Sequence, residues 1–427
     1  MNRFEVRDLG IAWESHTSPP PSDHAALATA WSDLQKRFSS DEVGFFNVPA
    51  HSGVADLEAS LSLAAHFREQ TWLKDVLFLG IGGSSLGPLT LLKALGRKTP
   101  SGIRNHFLEN PDPVEWLDTL RDLKPENTLV VCTTKSGSTF ETLAQFLRAL
   151  DWLGVDRWKT QCVAITDPTS GNLRAFAERV GMPTLSIARS IGGRFSVFSP
   201  VGFFPLALAG FSAPAFLEGA ARMRRALIET PAAENALFGE AATRIRRFSN
   251  EPIHVFMPYS SRLTGLSEWW VQLWGESLGK NGKGFTPVAA LGARDQHSLL
   301  QLLRDGPQDK VTYFVRVRTV SDPVTIPHME DPRLQSLEYL NLLEGHSFHH
   351  LLQVELDSTC RVLKNAGRPF SVFEIEAVNE RTLGGLMFLL CTWTAFTGTL
   401  WQVNPFDQPG VEEGKRYIRS SLDSTRI

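Results

Sequence analysis

Short apolar runs recur along the first half of the chain, and glycines or hydroxyl residues follow most of them. These runs read as buried strands, at 75–83, 127–137, 161–171 and 182–188. Helical periodicity follows the first three runs, at 87–97, 139–154 and 171–181. Regular alternation of strand and helix predicts a parallel sheet with right-handed crossovers, which is the α/β fold class.

The second half repeats this plan. Apolar runs predict strands at 252–260, 310–318 and 370–378, and periodic segments predict helices at 262–277, 334–365 and 380–400. We therefore expect two αβα sandwich domains with parallel sheets, joined by a linker near 215–245. The expected boundaries are an N-terminal arm over 1–50, domains over 51–220 and 221–403, and a C-terminal helical tail over 404–427.

Composition limits the possible partners and the compartment. The 427 residues carry a net charge of -3, which gives no support to a nucleic-acid or membrane partner. The four cysteines form no C-x-x-C pair, so disulfide and metal readings are weak and a reducing compartment is expected. The N-terminus lacks an apolar signal region, and the uncharged run 382–406 is expected to be a core helix, so we predict a cytoplasmic protein.

Two strand exits carry small hydroxyl residues and run directly into helices. The first, "GIGGSSLGP", contains Ser84, and the second, "TTKSGSTFET", contains Thr134, Lys135, Ser136 and Thr139. Helix starts offer unpaired N–H groups to an anion, so the two loops predict a phosphate site. They match neither the dinucleotide fingerprint nor the Walker loop, which favours a monophosphate over a nucleotide. The alternative is a pair of ordinary capped turns.

A carboxylate in an aromatic helix is the candidate base. Glu276 shares a helical face with Gln272 and Glu268. Three tryptophans occupy the same segment: Trp269, Trp270 and Trp274. We expect these rings to surround the carboxylate and raise its pKa toward neutrality, as a general base requires. The alternative is an exposed glutamate at a helix end.

Further candidates lie in separate motifs. Arg194, in "GGRFSVFSPVG", has the setting of a near-buried arginine directed at an anion. His297 precedes a helix, and Gln408 and Lys415 enter the last helix; each of these is also compatible with a structural or solvated role. Three histidines in "HSFHH" have helical spacing, but no carboxylate or cysteine pattern completes a metal site, so none is predicted: His346, His349 and His350.

Taken together, these motifs resemble the glucose-6-phosphate isomerase family in its shorter bacterial form. The segments "LGIGGSSLGP", "TKSGSTFET", "GGRFSVFSPVG", "WWVQLWGESLGKNGKG", "DQHS" and "FDQPGVEEGK" occur in the family's order, and the resemblance covers about residues 75–418. It implies two sugar-isomerase (SIS) domains with the active site between them. It also implies reversible interconversion of glucose 6-phosphate and fructose 6-phosphate in glycolysis and gluconeogenesis, without a metal or nucleotide cofactor.

The resemblance also implies residue roles. Ser84 and the cluster Thr134, Ser136 and Thr139 hold the phosphate, with Lys135 in the same loop. Glu276 moves a proton between C1 and C2, and Arg194 stabilises the enediolate. His297 and Lys415 open the ring, while Gln272 and Gln408 line the site. In the family this histidine comes from the second subunit, which implies a homodimer.

One motif departs from the family pattern. Ala293 and Arg294 stand where many bacterial members have a small hydroxyl and an amide, which puts the placement of His297 or a dimer contact in question. A non-catalytic SIS protein that senses sugar phosphates is the alternative from another class. Such a protein could lose Glu276, Arg194 or Lys415, and all three are present. A related isomerase for mannose or amino-sugar phosphates is the third possibility.

Overall fold

The computed structural model describes residues 3–16, 24–40, 42–96, 99–335 and 337–424. The strands are β1 Arg3–Val6, β2 Ile11–Ser15, β3 Asp75–Leu79, β4 Arg104–Leu108, β5 Thr128–Thr134, β6 Cys162–Thr166, β7 Thr184–Ser186, β8 Ile253–Pro258, β9 Thr286–Ala289, β10 Lys310–Val317 and β11 Phe370–Ile375. The helices are α1 His24–Ser39, α2 Val54–Arg68, α3 Leu86–Leu95, α4 Pro113–Arg121, α5 Phe140–Leu153, α6 Asn172–Val180, α7 Pro200–Ala209, α8 Ala213–Glu229, α9 Ala236–Arg246, α10 Thr264–Leu278, α11 Gln296–Asp305, α12 Pro332–Gln335, α13 Glu338–Asn341, α14 Phe348–Asn365, α15 Glu380–Leu400 and α16 Glu412–Ser424.

The first sheet is fully parallel and has the strand order β4-β3-β5-β6-β7. Its inner strands are buried on both faces, which explains their continuous apolar sequences. From β3 the chain first moves outward to β4 and then returns to the other side of β3 as β5. The winding direction therefore reverses between β3 and β5, and ligands bind beside the carboxyl ends of strands at such a reversal.

The second sheet has six strands in the order β1-β2-β11-β10-β8-β9. Strands β8, β9, β10 and β11 are parallel and repeat the winding of the first sheet. Strand β2 pairs antiparallel with β11, and β1 pairs with β2. The N-terminal segment therefore extends the second sheet, where the sequence predicted an arm that packs on the rest of the chain.

Helices α8 and α15 join the two halves of the molecule through unusually close backbone contact. A Cβ on Gly384 would lie 1.9 Å from the carbonyl oxygen of Phe216, and one on Gly219 would lie 1.9 Å from that of Arg381. Both helices belong to a hydrophobic core that also includes β3 and β10 side chains. The segment 215–245 is thus largely the helices α8 and α9, and the prediction of a linker there was wrong.

Helix α15 has the length and composition of a membrane span, yet 89% of its apolar window is buried inside the protein. That burial agrees with the prediction of a core helix. Other predicted elements need correction. The segment 334–365 is not one helix, because α12 and α13 are single turns and the long helix α14 begins only at Phe348. Strands β4 and β9, both at sheet edges, were not predicted.

Candidate active site

Two loops meet where the winding of the first sheet reverses. The loop after β3 forms the short turn Gly82–Ser84 and leads into α3. The loop after β5 runs through residues 135–139 and leads into α5. Because β3 and β5 are parallel neighbours, both loops leave the same edge of the sheet side by side. The two hydroxyl-rich motifs of the sequence are thereby brought together.

Hydroxyl groups in the second loop hydrogen bond to one another. The Thr134 and Thr139 hydroxyls lie 2.8 Å apart, and Ser136 Oγ lies 3.5 Å from Thr139 Oγ1. Gly137 has a φ of +65°, and a Cβ there would lie 2.9 Å from Gly171 Cα, so the tight turn requires glycine. The loop is therefore held in a fixed shape.

Neither helix start in these loops is capped by its own side chain. The side chains of Ser85, before α3, and Thr139, before α5, make no capping hydrogen bond. Ser85 Oγ donates instead to Glu109 Oε1 at 2.6 Å, and Thr139 faces the loop hydroxyls. An ordinary capped turn would use these hydroxyls on the first N–H groups of the helix. Two uncapped helix starts side by side suit an anion better.

A buried arginine lies on the other side of the β3 loop. The side chain of Arg194 is 1% exposed. Its Nη2 donates to the carbonyls of Pro405 and Asp407 at 2.6 and 3.0 Å, and its Nη1 donates to Gln408 Oε1 at 3.0 Å. Burial lowers its pKa, and the Glu276 carboxylate opposes that change. The guanidinium is thus fixed by the segment that precedes the last helix.

Glu276 pairs with this arginine. Its Oε2 lies 3.3 Å from Arg194 Nη1, and its side chain is 28% exposed. The prediction that three tryptophan rings surround the carboxylate was wrong. Trp270 and Trp274 stack on each other and pack in the core against Phe256 and Trp393, respectively. Trp269 is also a core residue. The Glu276 carboxylate therefore has a cationic neighbour and is not enclosed by apolar rings.

A cleft of about 600 Å³ connects the hydroxyl-rich loop after β5 with the Glu276 side chain. Its lining consists of Ile81, Gly82, Ser136, Ser138, Thr139, Phe140, Glu141, Gln272, Glu276, Val411, Gly414, Lys415 and Ile418. Gln272 Oε1 is buried without a hydrogen-bond partner among the described residues, so it is available to a ligand donor. Lys415, another lining residue, donates from Nζ to Glu412 Oε1 at 2.6 Å.

Several predicted residues lie beside this cleft without lining it. Ser84 ends the turn that Gly82 begins. Thr134 is buried and supports Thr139, while Lys135 donates to the carbonyl of Arg189 at 3.0 Å. Burial lowers the pKa of Lys135. In the single chain, Ser136, Thr139, Gln272, Glu276 and Lys415 are the predicted residues that share the cleft.

His297 is not among the lining residues. It is the second residue of α11 and is exposed. Arg294, one of the two residues that depart from the family pattern, lies three residues before His297. It donates to both carboxylate oxygens of Asp295 at 2.8 and 2.9 Å. This contact lowers the pKa of Asp295, whose Oδ2 also accepts the Leu291 N–H. Arg294 thus braces the turn from which α11 starts.

Sequence reasoning missed part of the lining. The neighbours Ser138, Phe140 and Glu141 stood inside a motif already quoted, so their position after β5 was the available signal. Val411, just before α16, and Ile418 on α16 have helical spacing with Lys415, which could have placed all three on the same side of the chain. Histidines at the "HSFHH" motif stack, with the His346 and His350 rings 5.0 Å apart. The described residues contain no group of three or more possible metal ligands.

Comparison with known proteins agrees with this architecture. A glucose-6-phosphate isomerase of Rubrobacter xylanophilus is 43% identical over 387 residues, which is 88% of this chain and 88% of that protein. A glucose-6-phosphate isomerase of Thermus thermophilus is 40% identical, and the match covers 86% of this chain and 88% of that protein. The solved structure of a hypothetical protein from the same organism is similar with a TM-score of 0.84 at 39% identity, covering 93% of this chain and 95% of that one.

The predicted α/β fold class with parallel sheets is confirmed, and this fold is shared by a solved glucose-6-phosphate isomerase of Chlamydia trachomatis with a TM-score of 0.78 at 22% identity, covering 98% of this chain and 90% of that one. A family model described as phosphoglucose isomerase matches residues 66–426. The chain belongs to the phosphoglucose isomerase family, which confirms the resemblance drawn from the motifs. The prediction of an enzyme is confirmed as well, and the alternative of a non-catalytic sensor gains no support.

Proposed function

We propose that this chain interconverts glucose 6-phosphate and fructose 6-phosphate, with the cleft between the β5 loop and Glu276 as its active site. The observation that carries the proposal is the pairing of two uncapped helix starts with a carboxylate–guanidinium pair across one cleft. A phosphate bound at the loops supplies binding energy remote from the reacting carbons and positions them at Glu276.

In this proposal the phosphate lies against the loop hydroxyls and the first N–H groups of α5. Ser136 and Thr139 line the cleft, and Thr134 fixes Thr139 from behind. Ser84 and the turn before α3 complete the cradle from the neighbouring strand. Lys135 adds positive charge near the loop, although its ammonium group hydrogen bonds to a backbone carbonyl.

Proton transfer follows from the other end of the cleft. The Glu276 carboxylate removes the proton from C2 of the open-chain aldose and returns it to C1 of the enediolate, while the O2 hydroxyl proton passes to O1 so that C2 becomes the carbonyl carbon. Negative charge builds on the adjacent oxygen during this step, and Arg194 Nη1, 3.3 Å from Glu276 Oε2, is the cation that we assign to stabilise it. Gln272 presents its unpaired carbonyl to a sugar hydroxyl, and Gln408 holds Nη1 on the side away from Glu276.

Ring opening needs an acid and a base near the ring oxygen and the anomeric hydroxyl. Lys415 lines the cleft, while His297 does not. We therefore assign this step to Lys415 together with His297 of the partner subunit in a homodimer. Exposed apolar side chains on α13, α14 and α16 give such an assembly a contact surface: Tyr339, Phe348, Val354, Tyr417 and Leu422. A cytoplasmic location remains a prediction.

The base assignment has a direct test. Glu276→Gln should lower kcat by about 100- to 10,000-fold and leave sugar-phosphate binding largely intact, because only the proton acceptor is lost. Turnover is measured from fructose 6-phosphate with glucose-6-phosphate dehydrogenase as the coupling enzyme, and mannose 6-phosphate is tested beside it. Glu268→Gln is the matched control, since Glu268 lies two turns earlier on α10 and contacts Lys93. Near-normal turnover in Glu276→Gln would reject the role.

The shared site can be tested by mixing two inactive proteins. The Glu276→Gln and His297→Ala proteins are unfolded, mixed and refolded together. If each site takes its histidine from the other subunit, half of the dimers are mixed and each holds one intact site, so about a quarter of wild-type activity returns. Sites complete within one chain would give no such recovery. Light scattering on the wild-type protein reports the oligomeric state independently.

A further inference from the structure

A buried serine contacts Arg194 Nε, for which the described residues show no other hydrogen-bond partner. Ser277 follows Glu276 on α10 and is 0% exposed. Its Oγ accepts a hydrogen bond from Arg194 Nε at 2.7 Å, and both groups are buried. A hydrogen bond from a charged donor in such a setting is stronger than one between neutral groups.

This contact determines which edge of the guanidinium faces the cleft. Nη2 is occupied by two backbone carbonyls of the segment 405–407, and Nε is occupied by Ser277. Nη1 is the remaining nitrogen, and its partners are Glu276 and Gln408. With Nε and Nη2 both fixed, the plane of the guanidinium cannot rotate, and Nη1 stays directed at the Glu276 carboxylate.

We propose that Ser277 is a positioning residue for isomerisation, acting through Arg194: its hydroxyl fixes the guanidinium so that Nη1 meets both the base and the developing oxyanion. The proposal rests on the roles assigned above to Arg194 and Glu276. Preorganised donors of this kind need no rearrangement when charge develops in the transition state, so their orientation affects kcat more than substrate binding.

The adjacent residues explain why one hydroxyl matters at this position. Lys280 Nζ donates to the Ser277 carbonyl at 3.0 Å and pairs with Asp407 at 3.1 Å, which ties the end of α10 to the segment that holds Nη2. The backbone of Ser277 is therefore fixed by a separate contact. Removal of its hydroxyl should release only Nε and leave this backbone contact in place.

The first test compares two buried serines on one helix. Ser277→Ala should lower kcat about tenfold or more, the loss expected for a hydrogen bond to a charged group, while KM stays within about twofold. Ser267→Ala is the matched control: Ser267 is also buried on α10, but its hydroxyl donates to the Thr264 carbonyl of its own helix at 2.8 Å. Equal kinetics for the two variants would overturn the proposal, as would a rise in KM with unchanged kcat.

A double-mutant cycle completes the experiment. Lysine has no equivalent of Nε, so in an Arg194→Lys background Ser277→Ala should change kcat by less than about twofold. A full multiplicative effect there would overturn the proposal. Failure of this proposal can be told apart from failure of the proposed function. If Arg194→Lys and Glu276→Gln keep full activity, the roles assigned to Arg194 and Glu276 are wrong. If only Ser277→Ala keeps full activity, the positioning role of Ser277 alone is wrong.

Discussion

Arg244 lies at the centre of a buried ionic group that holds the N-terminal strands to the rest of the second domain. Its Nε lies 3.1 Å from Glu240 Oε1, its Nη1 pairs with Glu251, and all three side chains are at most 2% exposed. Glu240 also accepts hydrogen bonds from the hydroxyls of Ser15 on β2 and Ser371 on β11. We predict that Arg244→Met strongly destabilises the protein.

The size of the effect follows from what remains after the change. Glu251 keeps its contact with Arg247 at 2.7 Å, but Glu240 keeps only two long hydroxyl contacts, at 3.3 and 3.4 Å. Breaking a buried pair in this way costs about 3–5 kcal/mol. With an unfolding entropy of roughly 2.1 cal/mol/K per residue, the 427-residue chain should lose about 3–6 °C in Tm.

The loss should depend on pH in a defined direction. Burial raises the pKa of Glu240, and Arg244 opposes the rise. An acid whose pKa is raised by folding favours the folded state at low pH, and this contribution disappears as pH rises through the folded pKa. Without Arg244 the pKa rises further, so the deficit should be largest at neutral pH and shrink on acidification. Arg244 also contributes, after burial, to the lowered pKa of His254, and its removal acts in the same direction.

Scanning calorimetry on the wild-type and Arg244→Met proteins from pH 5 to pH 8 measures the difference in Tm at each pH. Arg148→Met is the control, because the Arg148–Asp151 pair is exposed and its loss should leave Tm unchanged within error. A wild-type Tm for Arg244→Met would refute the buried-pair argument. A large deficit that is equal at both ends of the pH range would show that packing, and not the uncompensated carboxylate, causes the loss.

Three further predictions concern the site. Gly83→Ala should lower both kcat and Tm, because its Cβ would lie 2.1 Å from the Gly193 carbonyl oxygen, whereas Gly193→Ala meets nothing within 4 Å and should be tolerated in the same assays. Ser136→Ala combined with Thr139→Ala should raise KM more than it lowers kcat, and the reverse pattern would argue against a phosphate cradle. Lys280→Met should increase hydrogen exchange over residues 404–408, since its Asp407 contact is lost, and unchanged exchange would exclude that anchoring role.

The elements that sequence predicted well are those buried on both sides. Strands β3, β5 and β6 are continuous apolar runs because both of their faces lie against helices. The missed strands lie at or beside sheet edges. Strand β4 begins with Arg104 and Asn105, and β9 contains Pro287, so neither carries the apolar run that indicates a strand. Strand β2 pairs with β11, near the other end of the chain, and β1 pairs with β2, so the place of this ribbon in the second sheet leaves no local signal.

The residues of the candidate site also divide into those that sequence could predict and those that it could not. The hydroxyl loops and Glu276 stand in contiguous motifs, so sequence could name them. The error over the tryptophans came from judging proximity along the chain, whereas Trp274 is two residues from Glu276 and therefore projects from the opposite side of α10. The contact of Arg194 with Ser277 and the segment 405–407 joins residues distant in sequence, and no local pattern encodes it.

The pairing of β2 with β11 also has a consequence for biosynthesis. Residues 11–15 leave the ribosome early, but their partner, residues 370–375, is translated near the end. At about 5–20 residues per second, this apolar ribbon waits on the order of 20–70 s for its docking strand. The first sheet, whose strands all lie within residues 75–186, is free to form in the meantime. Nascent chains should thus expose Ile11 and Trp13 until late in synthesis, the interval in which a holdase chaperone would find them.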